Sequence, residues 1–428
     1  MRCAAWSAVL AFALTSVAVA EPLTLDEALA AVSADHPDRR MAQGDLALSR
    51  ADRDQASSLQ DFNLFLEGAL RTGLRPNDSL AYAGAWKPDN EARIVARKPL
   101  LDFGRSSNAV AAADQEVAAR QAALFDVENL RRVDIMARFF DVLLADMQYA
   151  ADNEFMAVAY VSWDNAKDRF EVGQISQPEL LRMEADYQDI RERRNASQQR
   201  MRSARQKLAH AMYRPGRLPT ELAEPVLKDN ARTVPNYDSL VPWVMAKNPR
   251  LLALQAQIAA TDARLAAVRA GRNPVLDAEV VGGSYSRQST TRDDLSAGLV
   301  FSIPLYQGAR VDARIARELA QRERSAAELE KLKLDLADIL LATLQEIEWL
   351  RGSSRAAADK QIVYRDWALE RARAEYELEL KTNLGASMAE TQMAQLRRKQ
   401  VEYRLALALA RLEALSGGSL PPVEGARE

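Results

Sequence analysis

The chain has 428 residues, with 57 Lys and Arg against 60 Asp and Glu and a formal net charge of −3. That balance supplies no basic face, so nucleic acid is not an expected partner. One Cys and two His leave little for disulfides, metal centres or His-based catalysis. With 17 Gly, 16 Pro and 6% aromatics, the composition leans towards long helices, although the length alone suits two or three domains.

The N-terminus indicates the compartment. Met1-Arg2 is a short basic start, Ala4 to Val19 is uncharged and mostly apolar, and Ala18 and Ala20 form an A-x-A cleavage site. Residues 1–20 are predicted to be a secretory signal peptide, too short to serve as an anchor. Cleavage removes Cys3, which stands at the wrong end for lipidation, so the expected mature chain is exported, cysteine-free and non-lipidated. No later segment reaches about 18 uninterrupted apolar residues, so any membrane crossing has to use β-strands.

In chain order, Thr24 and Glu27 predict a capping box that starts a helix running to about Leu59. Strict alternation follows, with Phe62, Leu64, Leu66, Gly68 and Leu70 on one face and Asn63, Phe65, Glu67 and Arg71 on the other. After a turn-rich stretch from Arg75 to Asn90, Ala92, Ile94 and Ala96 alternate with Glu91, Arg93 and Arg97. From Arg105 to about Val172 the chain has no Pro, which predicts a helix of about 100 Å at 1.5 Å per residue. Met136, Phe139, Leu143 and Met147 on it are spaced as a coiled-coil seam.

The second half repeats this plan. Leu276, Ala278 and Val280 alternate with Asp277 and Glu279, and Leu295, Ala297, Leu299, Phe301 and Ile303 mark another strand. Arg310 to about Leu380 is again free of Pro, with Leu329, Leu332, Leu336 and Ile339 as its seam. Three echoes run in the same order, about 205 to 212 residues apart. Leu29 to Pro37 is echoed by Val241 to Pro249, Pro99 to Arg105 by Pro304 to Arg310, and Arg169 to Val172 by Glu375 to Leu378. The expected organisation is therefore a first repeat (21–213), an equatorial linker (214–235) with Pro215, Pro219 and Pro225, a second repeat (236–416) and a flexible tail (417–428). Amphipathic strands of this kind suit a water-lined membrane barrel, and equally a soluble hairpin lying on a core. Two helices of such length favour a rod or tube.

The duplicated strand-to-helix junctions Lys98-Pro99-Leu100-Leu101-Asp102-Phe103-Gly104 and Ser302-Ile303-Pro304-Leu305-Tyr306-Gln307-Gly308 resemble those of the outer membrane efflux protein family, the TolC-like channels. The tip Arg169-Phe170-Glu171-Val172-Gly173 and the pairs Asn248-Pro249 and Asn273-Pro274 fit the same resemblance, which covers essentially the whole mature chain. It implies a mostly α protein with a membrane β-barrel, in which a long α-helical coiled-coil barrel continues four strands per protomer. A homotrimer then forms a twelve-stranded barrel in outer membrane lipid of a Gram-negative cell and extends into the periplasm. The implied role is a passive exit duct of a tripartite efflux or type I secretion system, not an enzyme and without cofactors. Its implied partners are a periplasmic adaptor (membrane fusion) protein and an inner-membrane pump of RND or ABC type. A soluble periplasmic coiled-coil adaptor or scaffold is the alternative, although it would have no use for four amphipathic strands in symmetric pairs.

The resemblance also implies site residues at the two helical tips. Tyr376 and Lys381 match the Tyr and Arg of the family's gate, and Glu179 falls where the facing hairpin carries an acid. Two roles stand open for Glu179, because Ser176 and Glu179 also fit a capping box restarting a helix, with Pro178 in its first turn. The family's gate carries two Asp in the second tip. Here Gly385 and Met388 occupy those positions, so the constriction is either apolar or dependent on Glu179. Phe170, Val172, Gly173 and Ser176, with Leu378 and Thr382, are the implied adaptor contacts. His36 and His210 read as surface histidines, and the scattered Met as core.

Overall fold

A computed structural model describes residues 22–33, 35–75, 85–217, 221–286, 293–378 and 384–422. The expected signal peptide lies outside them. The capping box forms as the sequence indicates: Thr24 Oγ1 accepts from the Glu27 N–H at 3.2 Å, and Glu27 Oε2 accepts from the Thr24 N–H at 3.0 Å. The helix it starts, α1 (Leu25–Ala30), does not run on to Leu59 as expected. A new helix, α2 (Pro37–Ser58), begins at a proline whose ring holds His36 extended at ψ 144°. His36 caps it, Nδ1 accepting from the Asp38 N–H at 3.2 Å. The second repeat has the same break between α5 (Tyr237–Lys247) and α6 (Pro249–Ala270), with Asn248 in the place of His36.

The predicted strands form one antiparallel sheet of four. It contains β1 (Asn63–Ala69), β4 (Glu91–Leu101), β5 (Val275–Tyr285) and β6 (Leu295–Ser302), hydrogen-bonded in the order β1-β4-β5-β6. The stretch read as turn-rich also contains strand: β2 (Thr72–Arg75) pairs with β3 (Ala85–Pro88) as a separate ribbon. Register keeps the two sequence faces apart. Leu66, Ile94, Gly282 and Leu295 stand in one row and Leu64, Ala96, Val280 and Ala297 in the next. The alternate positions put Asn63, Arg97, Glu279 and Gly298 on the opposite face.

The long helices are α3 (Arg105–Glu171, 67 residues), α4 (Gln177–Ala211), α7 (Arg310–Trp349), α8 (Arg355–Glu377) and α9 (Leu384–Leu415). A five-residue π-turn, Leu350–Ser354, joins α7 to α8. Leu336 of the predicted seam is buried, but the seam continues through Leu340, Leu344 and Ile347 rather than the exposed Ile339. The steps 4, 4, 3 keep that face inward where a step to Ile339 turns away from it.

Two compact units divide the chain, and neither is a repeat. One takes residues up to 34, 134–228 and 354–403; the other takes 35–133, 229–353 and from 404 on. In the second unit ion pairs fix the helix order α2-α3-α6-α7. Arg39 pairs with Glu128 at 2.9 Å, Arg250 with Asp126 at 2.9 Å and Arg322 with Asp262 at 2.6 Å. That order runs from first-repeat to second-repeat elements, as the sheet does. The first unit is ordered α4-α3-α9-α8. The Trp163 ring stacks on Tyr187 at 5.1 Å, Phe140 stacks on Tyr403 at 4.5 Å, and Arg398 pairs with Asp359 at 3.2 Å. In the linker, Leu23 bridges Leu222 in parallel and Lys399 pairs with Glu224. The tail, expected to be flexible, is anchored at its start, where Trp243 Nε1 donates to the Ser419 carbonyl at 2.9 Å. Residues 423–428 lie outside the described part.

Candidate functional site: a two-faced sheet and two helical tips

The sheet carries the first candidate surface. Leu64, Leu66, Leu295, Leu299 and Phe301 line one face and are exposed, Leu66 to 79%. A contiguous apolar face of this size suits lipid and is a liability in water. On the other face charges are paired across strands: Arg93 Nη2 donates to Glu67 Oε2 at 2.7 Å and Arg97 Nε to Glu279 Oε2 at 2.9 Å. Arg71 pairs with Glu91. Strands β1 and β6 have no described strand on their outer edges.

β4 and β6 each hand over to a long helix, α3 and α7, at the repeated junction. Phe103 and Gly104 take positive φ of 51° and 93°, and Gly308 takes 64° in the second repeat. Asp102 holds the first turn of α3, its Oδ1 accepting from the Gly104 N–H at 3.2 Å and its Oδ2 from the Ser106 N–H at 2.7 Å. Burial by itself raises the Asp102 pKa, but the Ser106 hydroxyl and the N–H groups of Ser106, Gly104 and Arg105 outweigh it and hold the carboxyl below its ordinary value. The second junction has Gln307 instead, which donates to the Gly271 carbonyl at 3.3 Å. The spacing of Asp102 two residues before Gly104 was a legible signal of this capping role.

At the first tip, α3 ends in a Schellman turn. Gln174 N donates to Arg169 O at 2.8 Å, Gly173 N to Phe170 O at 2.9 Å, and Gly173 takes φ 73°. Phe170, Val172, Gly173 and Ser176 are exposed. Ser176 is the N-cap of α4, with Pro178 in the first turn, but its side chain makes no cap bond. The expected Ser176–Glu179 capping box is therefore absent; the turn is closed by Glu179 N donating to Ser176 O at 3.1 Å. Proline preorganises that turn without help from the hydroxyl.

At the second tip Tyr376, 63% exposed, and Leu378 stand at the end of α8. Lys381 and Thr382 lie outside the described residues. Within the chain, the side chains of Glu179 and Tyr376 make no hydrogen bond or ion pair among the described residues. Beyond the tip α9 starts close against α3, since a Cβ on Gly385 would lie 2.6 Å from Val158 Cγ2. Gly385 therefore packs into its own unit, whereas Met388 is exposed. Among the described residues no group of three or more His, Cys, Asp or Glu could hold a metal, and no helix is long and apolar enough to cross a membrane.

A two-faced sheet continued by long paired helices is the fold of outer-membrane channels. VceC, an outer membrane protein of Vibrio cholerae, matches with TM-score 0.72 at 15% identity over 93% of this chain and 97% of its own. The Campylobacter jejuni outer membrane channel CmeC matches with TM-score 0.75 at 11% identity over 92% and 85%. CusC, whose structure concerns transmembrane channel formation, matches with TM-score 0.73 at 18% identity over 92% of each chain. Residues 240–418, most of the second repeat, match the family described as outer membrane efflux protein. No curated protein sequence matches the chain.

Proposed function

We propose that the protein is an outer-membrane exit duct, a passive channel from the periplasm to the outside. The observation that carries this is the sheet, with its exposed apolar face, its ion-paired face and its two unpaired edges. Four strands do not close a barrel, and lipid does not tolerate a free edge. Joining β6 of one copy to β1 of the next removes the edges, and three copies supply the twelve strands the resemblance implies. The contact is head-to-tail, and three copies complete a ring when the rotation between them closes.

The tips form the gate of this duct, with Glu179, Tyr376, Lys381 and Met388 as its residues. A Tyr376 hydroxyl donating to a carboxylate on a neighbouring hairpin is worth about 1.5–3 kcal/mol, enough to bias closure and little enough for a partner to undo. Phe170, Val172, Gly173, Ser176, Leu378 and Thr382 dock a periplasmic adaptor, which links the duct to an inner-membrane pump of RND or ABC type. Domain boundaries follow the repeats rather than the compact units, with 21–213 and 236–416 as the two repeats and 214–235 between them. The test is extraction and conductance of the full chain: it should leave membranes only in detergent, cross-link as a trimer and give discrete steps in planar bilayers. Release without detergent and absence of steps would point to a periplasmic scaffold instead.

A further inference from the structure

The long helices of the two repeats differ by one residue. Helix α3 runs 67 residues from Arg105 to Glu171 without a break. Its counterpart starts at the aligned Arg310 and ends at the aligned Glu377, and it is built of segments of 40, 5 and 23 residues, one more in all than α3. The middle five, Leu350–Ser354, are the π-turn, whose hydrogen bonds reach one residue further than those of an α-helix. A π-turn is how a helix takes in a single inserted residue. Absorbed as regular α-helix, the same residue would turn α8 and the second tip by about 100°.

The turn is held from outside. Arg351 Nη2 donates to the Asn230 carbonyl at 3.3 Å and also to the Arg232 carbonyl. Asn230 belongs to a short 3₁₀ turn of the linker, Lys228–Ala231, and Arg232 follows it. Leu350 is fully buried, whereas nothing lies within 4 Å of the place a Cβ on Gly352 would take.

We propose that the π-turn is a flexure in the second-repeat helix, latched to the linker by Arg351, and that α3 is the stiff counterpart in each chain. A π-turn interrupts the regular α-helical ladder, and Gly352 adds backbone freedom at its centre. A joint in one of the two long helices is what opening at the tips requires, so the link to gating rests on the duct reading, whereas the flexure itself does not.

Hydrogen exchange on the full chain in detergent micelles tests it. Amides of 349–355 should exchange at least about tenfold faster than those of 144–150 in α3, as a low-stability segment does. Arg351→Ala removes two charged hydrogen bonds and should speed that exchange by about another tenfold. Gly352→Ala fills open space with a better helix former and should slow it about fivefold. In planar bilayers Arg351→Ala should open more often than the unaltered protein and Gly352→Ala less often. Exchange at 349–355 as slow as in α3, or unmoved by either substitution, overturns the flexure whatever the conductance. Exchange as expected from a protein that never conducts upholds the flexure and overturns the duct. Should Arg351→Ala not fold, Gly352→Ala decides alone, its slowing in favour and its absence against.

Discussion

Asn248 is 2% exposed and all of its side chain is engaged. Oδ1 accepts from the N–H groups of Arg250 at 3.0 Å and Leu251 at 3.2 Å, and Nδ2 donates to the Leu415 carbonyl at 3.0 Å. It starts α6 and ties that start to the end of α9. Asn248→Ala loses the cap and leaves a buried carbonyl without its donor, a loss of about 2 kcal/mol, read as a lower thermal midpoint in detergent. The Asn-Pro pair was visible as an echo of His36-Pro37, but the sequence shows only that two positions correspond, not that both cap helices. Asp102 gives a pH prediction. Its folded pKa is depressed, so its contribution is present above the ordinary Asp value of about 4 and is lost as pH falls through the lower folded value. Asp102→Asn should therefore flatten the fall in stability below about pH 4 and leave the curve above pH 6 parallel to the original.

At the scale of elements, the strands were the most legible part because a period of two fixes which residues share a face. Leu66, Ile94 and Leu299 fell on the apolar face as the alternation requires, and Arg93 and Arg97 fell opposite. Pairing was not legible: nothing in the alternation says that Arg97 of the first repeat meets Glu279 of the second, since register depends on which strands become neighbours. The helix ends were read less well where proline intervened, as at Pro37, or where proline replaced a hydroxyl cap, as at Ser176 and Pro178. The face assignment can be tested by charge. Leu299→Arg puts a cation on the apolar face and should cost about 2–4 kcal/mol of stability in liposomes if that face meets lipid near the bilayer centre. Ser296→Arg, paired with Val281 on the opposite face, should cost far less and instead shift the ion preference of the open duct. Equal effects of the two substitutions would contradict the two-faced reading.

For the whole molecule, the compact units were not legible, because each is assembled from stretches of both halves of the chain. The units share one rule with the sheet, an order from first-repeat to second-repeat elements that leaves one of each on the open flanks. On the second-repeat flank of one unit, Leu334 of α7 is 70% exposed, and Leu341 is exposed on the same stripe. Leu336, Leu340 and Ile347, turned the other way, are buried. The first-repeat flank of that unit presents Met41 and Leu48 on α2, also exposed and one heptad apart. Apolar stripes on both flanks are suited to meet head-to-tail when copies close the sheet edges. Leu334→Asp leaves the buried seam intact but places a charge where the next copy would pack. If the proposed ring closes through this flank, it should shift the purified protein from trimer to monomer by native mass measurement, with helical circular dichroism unchanged. Glu179→Ala with Tyr376→Phe tests the proposed gate instead. That pair should leave the trimer intact and raise the resting conductance in planar bilayers, and an unchanged conductance would remove both residues from the gate. The two experiments separate closure of the wall from closure of the tips: Leu334→Asp abolishes conduction by dissolving the ring, and the tip pair increases it within an intact one.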